Sequence, residues 1–127
     1  MAHARRKFYE LHQSGKSQIA EQALKSIGQL YGIEAQGAGL AAQARRQLRE
    51  RQARPIAEAL HAWMMAYRLK VPDGTGIARA LDYSLKRWAA LTRYLGDGRL
   101  PIDNNWIENQ IRPIADLSRL FQSHGSL

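Results

Sequence analysis

The chain has 127 residues, 45% of them hydrophobic, and this length allows one domain or part of one, with a single modest core. It contains no apolar run of about 18 residues that could cross a membrane, and its charged N-terminus lacks the apolar stretch of a secretory signal. The absence of cysteine excludes disulfides and thiolate metal sites, and a cytoplasmic location is therefore expected.

The charge balance favours a polyanionic partner. Nineteen lysines and arginines stand against eleven aspartates and glutamates, which gives a formal net charge of +8 at pH 7. Such a surplus is typical of nucleic-acid-binding proteins, and a basic surface without a specific partner is the alternative. A membrane surface is disfavoured, because no predicted helix combines a fully basic face with an aromatic apolar one.

Helices are predicted almost throughout, and the first covers residues 3–12. Phe8 and Leu11 point inward in this helix, whereas the cations Arg5, Arg6 and Lys7 crowd its first turn. Three cations there oppose the helix dipole. Either an anion pairs with this turn or the helix begins further upstream. The Ser and Gly residues at 14–17 predict a break with capping residues.

Two further helices follow. Apolar spacing predicts the second over residues 19–31, with Gly32 as its C-cap and a flexible joint at residues 37–39. Residues 40–54 predict a third helix, in which arginines occupy most of the circumference and the apolar seam is thin. This composition predicts a protruding or partner-facing helix.

Pro55 either starts a new helix or kinks the third one. An apolar stripe over residues 56–67 precedes a loop at residues 71–76 and an amphipathic helix over residues 77–95. Trp63 and Trp88 lie on these stripes, which favours core packing for both. Extended structure is expected at residues 100–102 alone.

The most distinctive polar segment is residues 100–113. Read as a helix, it places Asn104, Glu108 and Arg112 on one face, opposite a stripe of isoleucines suited to a core. A carboxylate held on such a helix suits a metal-assisted phosphoryl-transfer site as one of its ligands. In a plainer interpretation Asp103 caps the helix and Glu108 forms a surface pair with Arg112. Spacing alone favours the plainer interpretation.

Other site chemistries have no support in the sequence. The glycines at residues 74–76 lack the pattern of a phosphate-binding loop and predict a turn. The four histidines have no metal-ligand spacing, and no serine lies in the context of a nucleophile elbow.

A family resemblance covers about residues 2–114. Two segments carry most of it, and residues 54–56 (Arg-Pro-Ile) and 80–84 (Ala-Leu-Asp-Tyr-Ser) contribute as well. Residues 2–8 (Ala-His-Ala-Arg-Arg-Lys-Phe) and 101–113 (Pro-Ile-Asp-Asn-Asn-Trp-Ile-Glu-Asn-Gln-Ile-Arg-Pro) closely resemble the transposase of insertion sequences of the IS sixty-six type. The resemblance implies a ribonuclease-H-like catalytic domain, in which two Asp and one Glu hold Mg²⁺ or Mn²⁺ and act on DNA phosphates. It implies that Glu108 is the third acid and a metal ligand. The supporting residues would be Asp103, Asn104, Asn105 and Arg112.

The chain departs from that family at both ends. The two Asp of the family precede the Ala-His-Ala-Arg-Arg motif, at which this chain begins, and after Ala115 the sequence diverges. Residues 1–114 are therefore expected to be a partial catalytic domain, with a helical insertion at residues 14–95 and the acidic motif at 100–113. Residues 115–127 would be a divergent tail. The predicted fold is an all-α fragment of about five to six helices without the sheet.

The leading functional interpretation is a fragment of a DNA transposase that is inactive alone and binds no metal tightly. One alternative is a non-catalytic basic module that binds DNA or regulates transposition. Another is a helical protein-interaction piece that needs a separately encoded N-terminal half or a second copy of itself. The predicted DNA-binding residues are Arg5, Arg6, Lys7, Arg45, Arg46 and Arg49.

Overall fold

A computed structural model describes residues 1–103, and within them all regular structure is helical, without a strand. This confirms the all-α prediction. None of the described helices is long and apolar enough to cross a membrane. The α-helices are α1 (Ala2–Gly15), α2 (Gln18–Gly37), α3 (Ala42–Leu48), α4 (Arg54–Arg68), α5 (Gly76–Lys86) and α6 (Trp88–Leu91).

Four helices surround the core. α1 packs against α2 and α5, and α4 also packs against α2 and α5, so that the four form a closed ring. The inward faces meet in a fully buried cluster that includes Phe8, Leu30, Leu60, Met64 and Leu81. Burying each of these large apolar side chains contributes about 1.5–3 kcal/mol of transfer free energy. The apolar periodicities of the sequence therefore lie where they were predicted, on the inner faces.

The break between α1 and α2 follows the prediction. Lys16 adopts a left-handed conformation with φ of 50°, and its backbone N–H donates to the carbonyl of His12 at 2.9 Å, which ends α1. The Ser17 hydroxyl then accepts from the Ala20 backbone N–H at 3.1 Å and caps α2.

The prediction that Gly32 caps the second helix is wrong, because α2 continues to Gly37. Ile33 is buried in the core and Glu34 binds Arg49, so tertiary contacts hold the additional turn. The predicted joint is where the helix ends. A side chain at Gly37 would lie only 3.1 Å from the Leu48 methyl group, so glycine permits the close packing of α2 on α3.

α3 and α4 are joined by a π-helical segment, Arg49–Ala53. Pro55 lies in the first turn of α4, where its missing N–H and its ring would disturb a regular α-helical hydrogen-bond ladder. A wider π turn is a common way to absorb such a disturbance. The prediction that this region protrudes is wrong, since Leu48, Arg49 and Ala53 are buried. That its exposed side, which includes Arg46, faces a partner stays a prediction.

The single helix predicted over residues 77–95 is wrong, because the structure has three shorter helical elements there. At Arg87 the backbone leaves helical geometry, with φ of −109° and ψ of 13°, and α6 and a 3₁₀ turn (Arg93–Gly96) follow. The change of direction brings Leu91 and Leu95 into the core. Trp88 stacks on His61 with ring centroids 5.0 Å apart, and it packs against the core as predicted while remaining partly exposed.

Trp63 likewise lies against the core, partly exposed, with its ring 4.9 Å from that of Tyr67. The segment at residues 100–102, where extended structure was expected, is irregular. Leu100 and Ile102 nevertheless pack against the core and fix the course of the chain up to Asp103.

Candidate nucleic-acid interface

An anion lies at the start of α1. The Asp103 carboxylate oxygen Oδ1 accepts hydrogen bonds from the Ala2 backbone N–H at 2.8 Å and from the Tyr31 hydroxyl at 2.6 Å. The amino group of Met1 lies 3.6 Å from the same oxygen. A carboxylate at a helix N-terminus satisfies an unpaired N–H and interacts favourably with the helix dipole. The sequence predicted either an anion paired with this basic first turn or a helix that begins further upstream. The structure contains the anion, Asp103.

The three cations of this turn remain at the surface. The Arg5 guanidinium lies 4.8 Å above the Tyr31 ring, and the Lys7 ammonium lies 5.2 Å from the Tyr83 ring. Arg6 donates to Glu10 at 3.1 Å, but the two side chains are 79% and 64% exposed. Contacts this exposed are weak and are easily exchanged for a phosphate. Arg5, Arg6 and Lys7 thus stay available to a partner.

The other three predicted DNA-binding arginines lie in different environments. Arg45 caps the C-terminal end of α2. Its guanidinium group donates hydrogen bonds to the carbonyl oxygens of Gly37, Leu40 and Gly98, at 3.0, 2.7 and 2.9 Å. Its charge therefore serves the fold, as cations near helix C-termini commonly do. Arg46, one residue on, is exposed.

Arg49 is only 1% exposed, and its guanidinium is fully engaged inside the protein. Two of its nitrogens bind both carboxylate oxygens of Glu34, at 2.9 and 2.7 Å. A third donates to the carbonyls of Tyr94 and Asp97, at 2.8 and 3.0 Å. We therefore remove Arg45 and Arg49 from the candidate interface, because both guanidinium groups are already occupied. Burial, reinforced by the charge of Glu34, raises the pKa of the neighbouring Tyr94 hydroxyl.

The exposed side of α1 lies between two surface cavities. On one side, a groove of about 510 Å³ runs between α1 and α5, and its cationic lining residues are Lys7, Arg79, Lys86 and Arg87. On the other side, a cavity of about 570 Å³ is lined by Arg5, Arg6, Tyr31 and Asp103, among others. A small cavity of about 170 Å³ lies between them, and Glu10 lines all three. The surface is therefore continuous from α5 across α1 to Asp103.

The cations of α5 were not among the predicted site residues. Arg79, Lys86 and Arg87 are spaced at i, i+7 and i+8, which places them on one side of the helix. The spacing alone could have predicted a cationic face on this helix. Only the fold shows that this face lies along the basic side of α1.

Most of the predicted acidic site falls beyond the part of the chain that the structure describes. Asn104, Asn105, Glu108 and Arg112 lie outside the described residues, as does the predicted tail at 115–127. Within residues 1–103, no group of three or more His, Asp or Glu side chains is arranged to hold a metal ion. Asp103 alone does not make a metal site.

Comparisons with known proteins identify the class. A match to the Transposase IS66 family extends over residues 1–123, and the chain belongs to that family. The match continues past residue 114, where the resemblance carried by the two sequence segments ended.

Particular relatives occur in Sinorhizobium fredii (strain NBRC 101917 / NGR234). The chain is similar to its uncharacterized protein y4hP, with 35% identity over 90% of this chain and 23% of the relative. It is also similar to the uncharacterized protein y4qI, with 39% identity over 88% of this chain and 21% of the relative. The chain thus spans less than a quarter of the length of these relatives. No solved structure gives a significant match.

Proposed function

We propose that this chain is a helical segment of a DNA transposase and contributes two things to it: DNA contacts from the basic face of α1, and Glu108 as one acidic ligand of the catalytic metal ions. The observation that carries the proposal is the hydrogen bond between Ala2 and Asp103. It joins the two segments that most resemble the family, residues 2–8 and 101–113. Cations and the beginning of the acidic segment therefore meet at one end of α1.

Charge supports the DNA contacts. Arg5 and Arg6 are exposed beside Asp103, and Lys7 is exposed on the α5 side of α1. The whole chain has a net charge of +8. Lysine and arginine side chains near a phosphodiester backbone neutralise its charge and release counterions. A protein that cuts and joins DNA needs such contacts to hold the backbone while the reaction proceeds.

Family membership supports the role of Glu108. In the complete enzyme, Mg²⁺ or Mn²⁺ ions would activate the attacking oxygen and stabilise the leaving 3′ oxygen of a DNA phosphate. Their remaining ligands would come from parts of the transposase outside this chain. We propose that the chain alone is therefore inactive as a nuclease and holds no metal ion tightly.

The isolated chain tests this part of the proposal. With Mg²⁺ or Mn²⁺ and DNA carrying the transposon ends, we expect neither nicking nor strand joining on denaturing gels. Metal-dependent cleavage by the wild-type chain that Glu108→Gln abolishes would overturn the inactive-segment proposal. Cleavage that survives Glu108→Gln would indicate a contaminating nuclease, and the preparation would then be repurified until this variant is silent.

A second candidate function is a DNA-binding module that regulates transposition without catalysis. The exposure of the α1 cations favours it, because these residues are accessible in the chain itself. This candidate predicts DNA binding that falls steeply as salt rises from 50 to 200 mM, with the slope set by the number of phosphates contacted. It also predicts that binding is unaffected by Glu108→Gln. Salt-independent binding, or none at 50 mM salt, would contradict it.

A further inference from the structure

We propose that the groove between α1 and α5 binds the sugar-phosphate backbone of DNA, with Lys7, Arg79 and Lys86 as its phosphate contacts. This proposal deepens the function proposed above and rests on it. None of the α5 cations was part of the predicted site. The groove is the cavity lined by both helices from Leu11 and Gly76 to Lys86 and Arg87.

The two helices run antiparallel along the groove. Gly76, at the start of α5, lies against Leu11 near the end of α1, where a side chain at residue 76 would meet the leucine methyl group at 2.8 Å. Tyr83, two turns further along α5, lies beside Lys7. The groove is thus closed tightly at its Gly76 end and leads towards the basic start of α1.

The charges lining the groove are unbalanced. Lys7, Arg79 and Lys86 are exposed cations, and Arg87 adds a half-buried one. The lining also contains two acids: Asp82 binds Arg68 at 2.8 Å, outside the groove, and Glu10 forms only an exposed pair with Arg6. The four cations therefore outnumber the acids. The lining therefore attracts an anion, and its attraction is strongest where the cations concentrate.

The Tyr83 ring gathers two of these cations. The Arg87 guanidinium lies 4.0 Å from its centroid, and the Lys7 ammonium lies 5.2 Å from it. Both groups gain from the negative face of the ring but repel each other. An anion in the groove beside Tyr83 would be attracted by both charges, since Lys7 and Arg87 both line the groove.

The dimensions suit a polymer better than a single small anion. At about 1.5 Å of rise per residue, the seven residues from Arg79 to Lys86 separate the two side chains by about 10 Å along α5. Two cations this far apart would contact different phosphates of one strand rather than a single phosphate group. Through Arg6 and Glu10, the same surface continues to Asp103. A backbone bound in the groove would lead to the acidic segment.

The test measures binding of a fluorescent 30-base-pair duplex of arbitrary sequence by anisotropy, over 50–200 mM salt. The groove variant is Arg79→Gln with Lys86→Gln. The control is Lys25→Gln with Lys70→Gln, which removes the same charge from two exposed residues outside the groove. Circular dichroism and a thermal melt of all three proteins establish that each is folded.

We expect the groove variant to bind at least about tenfold more weakly at 50 mM salt, with the salt slope reduced by about 2. The control should lose less than about threefold. Equal losses in the two variants, or none in the groove variant, would overturn the groove while leaving DNA binding by the chain intact. A wild-type chain that binds no DNA at 50 mM salt would instead contradict the proposed function itself. Tighter binding to an acidic peptide or to anionic lipid vesicles than to DNA would also overturn the proposal.

Discussion

Asp103 accepts the backbone N–H of Ala2 at 2.8 Å, across 101 positions of sequence. The bond places the beginning of the acidic segment at the N-terminal end of the most basic helix turn in the described part of the chain. Tyr31, from α2, donates to the same carboxylate oxygen at 2.6 Å, so three separate segments meet at one atom. The stability of this junction is the first property to measure.

Removing either side of the junction should destabilise the fold modestly. We expect Tyr31→Phe to lower the free energy of unfolding by about 1 kcal/mol, because it removes one hydrogen bond to a partly exposed carboxylate. In a double-mutant cycle with Asp103→Ala, the two changes should couple by at least about 0.5 kcal/mol. Urea denaturation measures both values. Additive losses would show that the hydrogen bond does not stabilise the fold. The neutral control is Tyr9→Phe, because the ring of Tyr9 on α1 is exposed.

The Arg49–Glu34 pair should be the most sensitive polar contact of the described core. Arg49→Met leaves the Glu34 carboxylate without its bidentate partner, and breaking such a buried pair costs about 3–5 kcal/mol. Adding Glu34→Gln should recover part of the loss, since the unpaired charge is then gone. Thermal and urea unfolding of the two variants test this. A loss below about 1 kcal/mol, as expected of the exposed control Arg51→Met, would contradict the assigned role.

Two glycines should respond to alanine in opposite directions. A side chain at Gly98 would collide with the carbonyl group of Ala42, at the start of α3, so Gly98→Ala should destabilise by at least about 2 kcal/mol. Gly32 has open space around it within α2, and Gly32→Ala should stabilise by about 0.5–1 kcal/mol. Paired urea titrations measure both changes. Destabilisation by Gly32→Ala would favour the C-cap predicted from sequence over the continuous helix.

Hydrogen bonds from Arg99, donated by its side chain and by its backbone, lower the pKa of Asp97 to about 2. Since this value lies below that of an unfolded Asp, about 3.9, the ionised form stabilises the fold above pH 4. That contribution is lost as the pH falls from about 4 through 2. Carboxyl NMR titration should give the low pKa in the wild type and a value raised part of the way towards 3.9 in Arg99→Gln, because the backbone N–H of residue 99 still donates in that variant. An unchanged pKa in that variant would contradict the assigned cause.

Much of the fold was predictable because its causes are local. The break after α1 is encoded by neighbouring residues, with Ser17 as the cap, and the buried stripes that include Phe8 and Leu81 follow helical periodicity. The length of α2 was not predictable in this way. Gly32 has a local preference for ending a helix, and Glu34 overrides it through Arg49, which is 15 residues away.

Only part of the candidate interface could be predicted, because long-range contacts determine which of its cations are exposed. Arg45, Arg46 and Arg49 look alike in sequence, and only the packing of α3 against α2 and the turn at residues 93–98 separates two internal arginines from an exposed one. The cations of α5 are spaced for one face, but only the contact of that helix with α1 turns them into one side of a groove. Long-range contacts decide which charges reach solvent.

Transposition by a complete enzyme tests most directly whether this segment gives a DNA transposase one of its metal-binding acids. The segment would replace its counterpart in a full-length member of the family, and excision of a marked element in cells would be counted. We predict that Glu108→Gln abolishes excision, whereas Glu58→Gln, at an exposed position of α4, leaves it within about twofold. Excision by the Glu108→Gln enzyme at the level of the Glu58→Gln control would contradict the proposed role of Glu108.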